Sequence, residues 1–221
     1  MAHKDKDKYG FTAYETDLTG MLALGQLAKK QQLLTILDLS KNGLTYGSAE
    51  ILMENLTGHP SLTELNVSVN DLGPKGAVYI AKILKKNPVL RVLDVRSNRL
   101  MPVGVDLLCR SLRTNWILTS LNLRNNKIDS DTIRVLADTL RVGAKSLVHL
   151  DLGYNHIDPH GLKTLGYAML TPRVVLQTLI LDHNPLTNSG KDFDGVKGFS
   201  KALRNNRTLT YLSMQVVMML M

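Results

Sequence analysis

One eleven-residue pattern returns seven times along the chain, and that periodicity constrains the fold more than any other feature. LTILDLSKNGL begins at Leu34, LTELNVSVNDL at Leu62, LRVLDVRSNRL at Leu90 and LTSLNLRNNKI at Leu118. LVHLDLGYNHI begins at Leu147 and LQTLILDHNPL at Leu176, and a degraded copy, LTYLSMQVVMM, begins at Leu209. Successive starts lie 28, 28, 28, 29, 29 and 33 residues apart, and the shared pattern is L-x-x-L-x-L-x-x-N-x-L. Within each L-x-L core the side chains alternate, so Leu37 and Leu39 face one way and Asp38 the other, which predicts a short strand with one buried face. The second half of each unit carries helical spacing. Ile80, Ile83 and Leu84 form one stripe, and Leu108 and Leu112 repeat it one unit later. One strand and one helix cannot bury their own apolar faces, so neighbouring units must stack. A helix is about 10 Å wide against about 4.8 Å between strands, so the stack bends with its strands inside.

These copies make the chain resemble the leucine-rich repeat family, and the 28–29-residue period resembles its ribonuclease-inhibitor-like subfamily. The resemblance covers residues 20 to 214. It implies an α/β fold, a right-handed β–α solenoid in a horseshoe arc, with a parallel concave sheet and convex helices. We expect residues 1–19 to be an N-terminal tail and residues 20–221 a single repeat domain. That domain would open on a helical half-repeat, 20–33, and close on the degraded repeat, 209–221. The ending VVMMLM carries no polar capping unit, so the array is expected either to continue or to dock its C-terminal edge on a partner.

The column Asn42, Asn70, Asn98, Asn126, Asn155 and Asn184 falls where each strand turns into its loop. An amide there can pair backbone groups that the turn leaves open, so the column reads as structural. Cys109 is the only cysteine and shares a small-residue column with Ala81 and Ala137, which predicts a packed thiol and excludes an internal disulfide. His156 and His160 lie four apart, but Pro159 and Gly161 mark a loop and no third ligand is evident, so no metal is expected. No nucleophile elbow, phosphate-binding loop or HExxH motif occurs. The expectation is a protein without catalysis or cofactor. With no apolar run of about 18 residues and no apolar leader, the sequence predicts no membrane insertion. Its expected place is the cytoplasm, with nucleus, cilium or cytoskeleton as alternatives.

Candidate binding residues are the strand positions that face away from the core. One column runs Asp38, Asn66, Asp94, Asn122 and Asp151; a second contains Arg96 and Arg124; a third contains His149 and Tyr211; Tyr154 and His183 lie on the next. An Arg- and Tyr-bearing strip is what a protein-binding patch tends to contain. Asp and Asn between the leucines are common in the resembled family, so the two arginines are the more distinctive signal. The longest repeat holds an insertion between Leu186 and Gly195, with Lys191, Asp192, Phe193 and Asp194 as contact candidates. Trp116 stands where equivalent loops have Pro60 and Pro88, and is read as a loop cap or a partner anchor.

The leading expectation is therefore a non-catalytic scaffold or regulatory subunit that binds a protein partner on its concave face. The alternatives, implied by the resemblance, are GTPase activation and phosphatase regulation. Relatives that stimulate GTP hydrolysis carry a long acidic tail, which this sequence lacks, and inhibitors of basic ribonucleases are expected to be acidic and cysteine-rich. The formal charge is +8 and aromatics are 5% of residues. The basic excess is read as a solvated face on the convex helices. RNA or acidic-surface binding through it is the lowest alternative, because aromatic platforms for bases are missing and nucleic acid is disfavoured.

Overall fold

The computed structural model describes residues 13–215, with side chains from Leu18 onward. Helices and strands alternate strictly. They are α1 (Ala13–Lys30), β1 (Ile36–Asp38), α2 (Tyr46–Leu56), β2 (Glu64–Asn66), α3 (Gly73–Lys86), β3 (Val92–Asp94) and α4 (Met101–Leu112). The second half adds β4 (Ser120–Asn122), α5 (Ser130–Val142), β5 (His149–Asp151), α6 (Pro159–Met169), β6 (Thr178–Ile180), α7 (Asp194–Leu203) and β7 (Tyr211–Ser213). The strands form one open parallel sheet in sequence order, β1 to β7. Each pairs in register with the equivalent residues of the next, so Leu37, Leu65, Leu93, Leu121, Leu150, Leu179 and Leu212 form one continuous row. The helices lie on the other side of that row, and the whole is a repeat solenoid.

The core fills the space between sheet and helices. Leu65, Leu93, Leu121, Leu150 and Leu179 are at most 1% exposed. Ile80, Ile83, Leu84, Leu108 and Leu112 meet them from the helices and are buried as their spacing predicts. Cys109 is buried among them, and loss of hydration pushes its thiol up to about 12. At neutral pH it is a thiol, not a nucleophilic thiolate.

The asparagine column stitches the rungs together. Asn126 donates through Nδ2 to the carbonyls of Val95 (3.0 Å) and Leu123 (3.2 Å). Its Oδ1 accepts from the backbone N–H groups of Asn98 and Leu100, both at 3.2 Å. Asn70, Asn155 and Asn184 bridge to the preceding rung in the same manner. The residue before each asparagine sits in the left-handed region, from Lys41 (φ 59°) and Val69 (φ 57°) to Tyr154 (φ 55°) and His183 (φ 59°). That bend lifts each loop off the strand line.

Two boundaries differ from the sequence reading. Helix α1 begins at Ala13, inside the segment assigned to the tail, so the first helix extends seven residues ahead of the expected half-repeat. Of the added residues, Leu18 lies over α2, where a Cβ at Gly47 would meet its Cδ2 at 3.5 Å. Pro159 does not mark a loop: it opens α6, where its fixed φ suits the first turn. Asp158 caps that helix by accepting from the Gly161 N–H at 2.9 Å. His160 therefore lies on the helix and His156 before it, both exposed. Among the described residues no group of three or more His, Cys, Asp or Glu is placed to hold a metal, and no helix is long and apolar enough to cross a membrane.

Candidate protein-binding face

The concave face is built by the residues on either side of each buried leucine. Its Asp/Asn column serves the backbone first. Asp38, Asn66, Asp94, Asn122 and Asp151 each accept, through Oδ1, the N–H two residues ahead, at 2.8–3.0 Å. Aspartate and asparagine do this equally well. Their alternation has a second consequence. Asn66 Nδ2 donates to Asp38 Oδ2 at 3.0 Å, and Asn122 Nδ2 lies 3.5 Å from Asp94 Oδ2. An amide between two carboxylates thus replaces repulsion by a cross-rung hydrogen bond. The column is a structural ladder whose outer edge faces solvent.

Electrostatics along it are uneven. At Asp38 the Ser40 hydrogen bonds hold the carboxyl below its usual range. At Asp94 and Asp151 burial dominates and raises the pKa, opposed by the N–H bonds from Arg96 and Gly153 and by the nearby arginines. Asp182 is lowered despite its own burial, because it accepts from Ser213 Oγ (2.6 Å) and the Gln215 N–H (2.8 Å).

The two arginines differ in their surroundings. Arg96 lies 3.6 Å from Asp94 of its own rung. Arg124 reaches across to the next rung, 3.8 Å from Asp151, where Gly153 leaves room: a Cβ there would collide with Arg124 Nη1. The Arg124 guanidinium lies over the Tyr154 ring at 4.2 Å from its centroid. Tyr154 in turn stacks on His183, with ring centroids 3.9 Å apart and a 35° tilt. Arg124, Tyr154 and His183 therefore form one continuous stack across three rungs. Planar groups in such a stack lose little freedom on binding, and cation–π contact contributes about 0.5–1 kcal/mol at an exposed site. Tyr154 and Tyr211 remain exposed, as does His149.

The structure brings Arg96, Arg124, Asp94, Asn122, Asp151, Tyr154 and His183 together at the centre of the arc, with His149 beside them. Asp38 and Asn66 lie toward the first rung and Tyr211 on the last. The insertion stands apart, on the strand-to-helix rim. Lys191 and Asp192 donate their N–H groups to the Thr187 carbonyl, and Asp192 accepts from the Asp194 N–H at 2.9 Å. Phe193 precedes the first residue of α7 and is half exposed. Trp116 does not pack over its loop; it is 66% exposed, with Lys145 Nζ 5.4 Å from the ring centroid.

Sequence reasoning missed a second polar column, three residues before each unit's first leucine. His59 Nδ1 accepts from the Leu62 N–H at 3.1 Å, and Nε2 faces the Ala28 and Gln31 carbonyls, each at 3.2 Å. Asn115 and Asn206 make the same pair of contacts, to the preceding helix end and to their own loop. The equivalent residues Ala144 and Arg173 break the column in the sequence, which hides it.

The leucine-rich repeat family model matches residues 30–52, 58–81, 86–109, 117–137 and 143–166. The chain belongs to the leucine-rich repeat family. Curated proteins gave no match to the sequence. Among solved structures it is similar to the leiomodin-1 actin-binding site 2, with 19% identity over 77% of this chain and 79% of that one, at a TM-score of 0.52. It is also similar to the leucine-rich repeat-containing protein LegL7 from Legionella pneumophila. There the identity is 16% over 91% of this chain and 72% of that one, and the TM-score is 0.46.

Proposed function

We propose that this chain is a non-catalytic scaffold that binds a protein partner on its concave face, centred on Arg96 and the Arg124–Tyr154–His183 stack. One observation carries the reading: a cation–aromatic stack of Arg124, Tyr154 and His183 stands on the hollow side of the sheet, with Tyr154 exposed. Tyr and Arg are the residue types that dominate binding energy at protein interfaces. The face also has a sign. Its strands and the turns that follow them carry Asp38, Glu64, Asp94, Asp151 and Asp182 against Lys41, Arg96 and Arg124, although the chain as a whole is at +8. A partner segment with a modest excess of lysine or arginine complements it.

The test is capture of partners from a lysate by the tagged wild type and by an Arg96→Ala, Arg124→Ala, Tyr154→Ala variant, with a Lys82→Ala variant on the convex side as control. The expected result is a protein recovered by wild type and control and lost with the triple variant, whose thermal unfolding stays near that of wild type. Undiminished recovery by the triple variant overturns the assignment of this face.

A further inference from the structure

The charge of the molecule is not spread over its convex helices; much of it is gathered on one rim. All strands run parallel and each is fed by a helix, so every helix-to-strand connection lies on the same edge of the arc. Taken from the last two residues of each helix to the residue before the next strand, these connections hold eleven lysines and arginines and not one Asp or Glu. All eleven are exposed, and among the described residues only Arg141 has an ion pair, with Asp138 at 3.3 Å. The opposite rim mixes signs, with Asp71, Asp129 and Asp158 beside Lys41, Arg99 and Lys127. Helix dipoles do not account for the difference. Seven C-termini at roughly −0.5 charge each offset about a third of this rim.

The same connections expose apolar side chains. Leu33 is 88% exposed, Trp116 66%, Val142 59% and Leu170 45%. They are separated along the rim and interleaved with the cations, and the Lys145 ammonium lies over the Trp116 ring. Six strand spacings of about 4.8 Å give the rim a length of about 30 Å.

We propose that this rim docks on an anionic lipid bilayer surface. Trp116, Leu33, Val142 and Leu170 enter the headgroup layer while the surrounding lysines and arginines meet lipid phosphates and carboxylates. Tryptophan prefers that depth, aliphatic side chains gain by leaving water there, and basic residues gain from the surface potential. A single-stranded nucleic acid fits the rim less well. It needs aromatic platforms for successive bases, and Trp116 is the only Trp, Tyr or Phe on these connections. Docking by this edge leaves the concave face open, so the proposal stands independently of the partner reading above.

Trp116 is also the only tryptophan in the chain, and it reports its own surroundings. The experiment is sedimentation of the full chain with vesicles of phosphatidylcholine containing 30% phosphatidylserine, or of phosphatidylcholine alone, while Trp emission is recorded. The expected result is binding to the serine-containing vesicles only, with a blue shift of emission and loss of binding at high salt. Each basic residue near such a surface contributes about fivefold in partitioning. An Arg113→Gln, Lys145→Gln, Arg173→Gln variant is therefore expected to bind roughly a hundredfold more weakly. A Lys41→Gln, Lys127→Gln, Lys191→Gln variant, with the same charge change on the opposite rim, is expected to bind almost as wild type does. Circular dichroism checks that both variants fold. Four results overturn the proposal: no sedimentation with anionic vesicles at low salt, sedimentation without an emission shift, equal losses in the two variants, or binding to single-stranded RNA but not to vesicles.

Discussion

The central rungs and the first rung carry the same motif in different company. Leu121 is 1% exposed, flanked on both sides by equivalent leucines, whereas Leu37, with a neighbour on one side only, is half-buried. The Asn126 side chain bonds to five backbone groups, three of them on the preceding rung and two on its own. Asn42 is exposed, and its Nδ2 donates only to the Ser40 carbonyl of its own turn, at 3.0 Å. Identical letters thus do different amounts of stabilising work. In a quasi-one-dimensional array, stability belongs to the interface between units more than to the unit.

Substitutions can break that comparison or sharpen it. The largest contrast is expected in the leucine row. Leu121→Ala should cost about 2–5 kcal/mol by opening a cavity, and Leu37→Ala about 1 kcal/mol because part of its surface already meets solvent. Urea denaturation of both variants measures this, and equal costs would break the comparison. The asparagine column comes next. Asn126→Ala strands buried N–H and C=O groups at roughly 1–3 kcal/mol each where water cannot replace the amide, for a total of about 2–4 kcal/mol. Asn42→Ala should stay within about 0.5 kcal/mol, as exposed sites do.

A smaller effect is expected at Val69, where a β-branched residue holds φ 57° while its counterpart Asn125, at φ 53°, is a residue type that tolerates that region. Val69→Asn should raise stability by about 1 kcal/mol, read as a higher denaturation midpoint. The smallest concerns Asp151, whose pKa is raised first by burial. The folded state then holds its proton more tightly than the unfolded chain does. The resulting stabilisation is fully present below the unfolded value near 3.8 and is lost as pH rises through the folded value. Asp151→Asn keeps the acceptor for the Gly153 N–H, so at pH 7 it should be as stable as wild type or slightly more so. The variant's stability should also vary less with pH over that acidic window. Urea midpoints at pH 4 and pH 7 check both statements.

The fold was legible because its decisive residues recur at fixed spacing. The leucines and asparagines each occupy one chemical environment, so the column shows in the letters. The positions of the candidate face could be read from the sequence, with Arg96 and Arg124 as its more distinctive signal. The duty of the Asp and Asn column could not: either type satisfies the same N–H two residues ahead, and spacing alone cannot distinguish a backbone duty from a ligand contact. The Arg124–Tyr154–His183 stack depends on where three side chains cross adjacent rungs and on Gly153 giving way beneath one of them. No single repeat encodes that. The His59, Asn115 and Asn206 column escaped notice because different side chains perform one duty and other repeats omit it: Ala144 and Arg173 stand in its place, and Asn87 accepts instead from the Gly58 N–H. The basic rim was hidden for a geometric reason. Along the sequence, cations at helix ends and in the following loops look like parts of separate helices. Only parallel strands in one sheet bring them to a common edge.

Amide hydrogen exchange along the sheet tests the stacking account most directly. Protection should be highest at Leu93, Leu121 and Leu150 and fall toward Leu37 and Leu212, following rung position and not the local sequence. Equal protection from first rung to last, or a pattern that ignores the order of the strands, would contradict it.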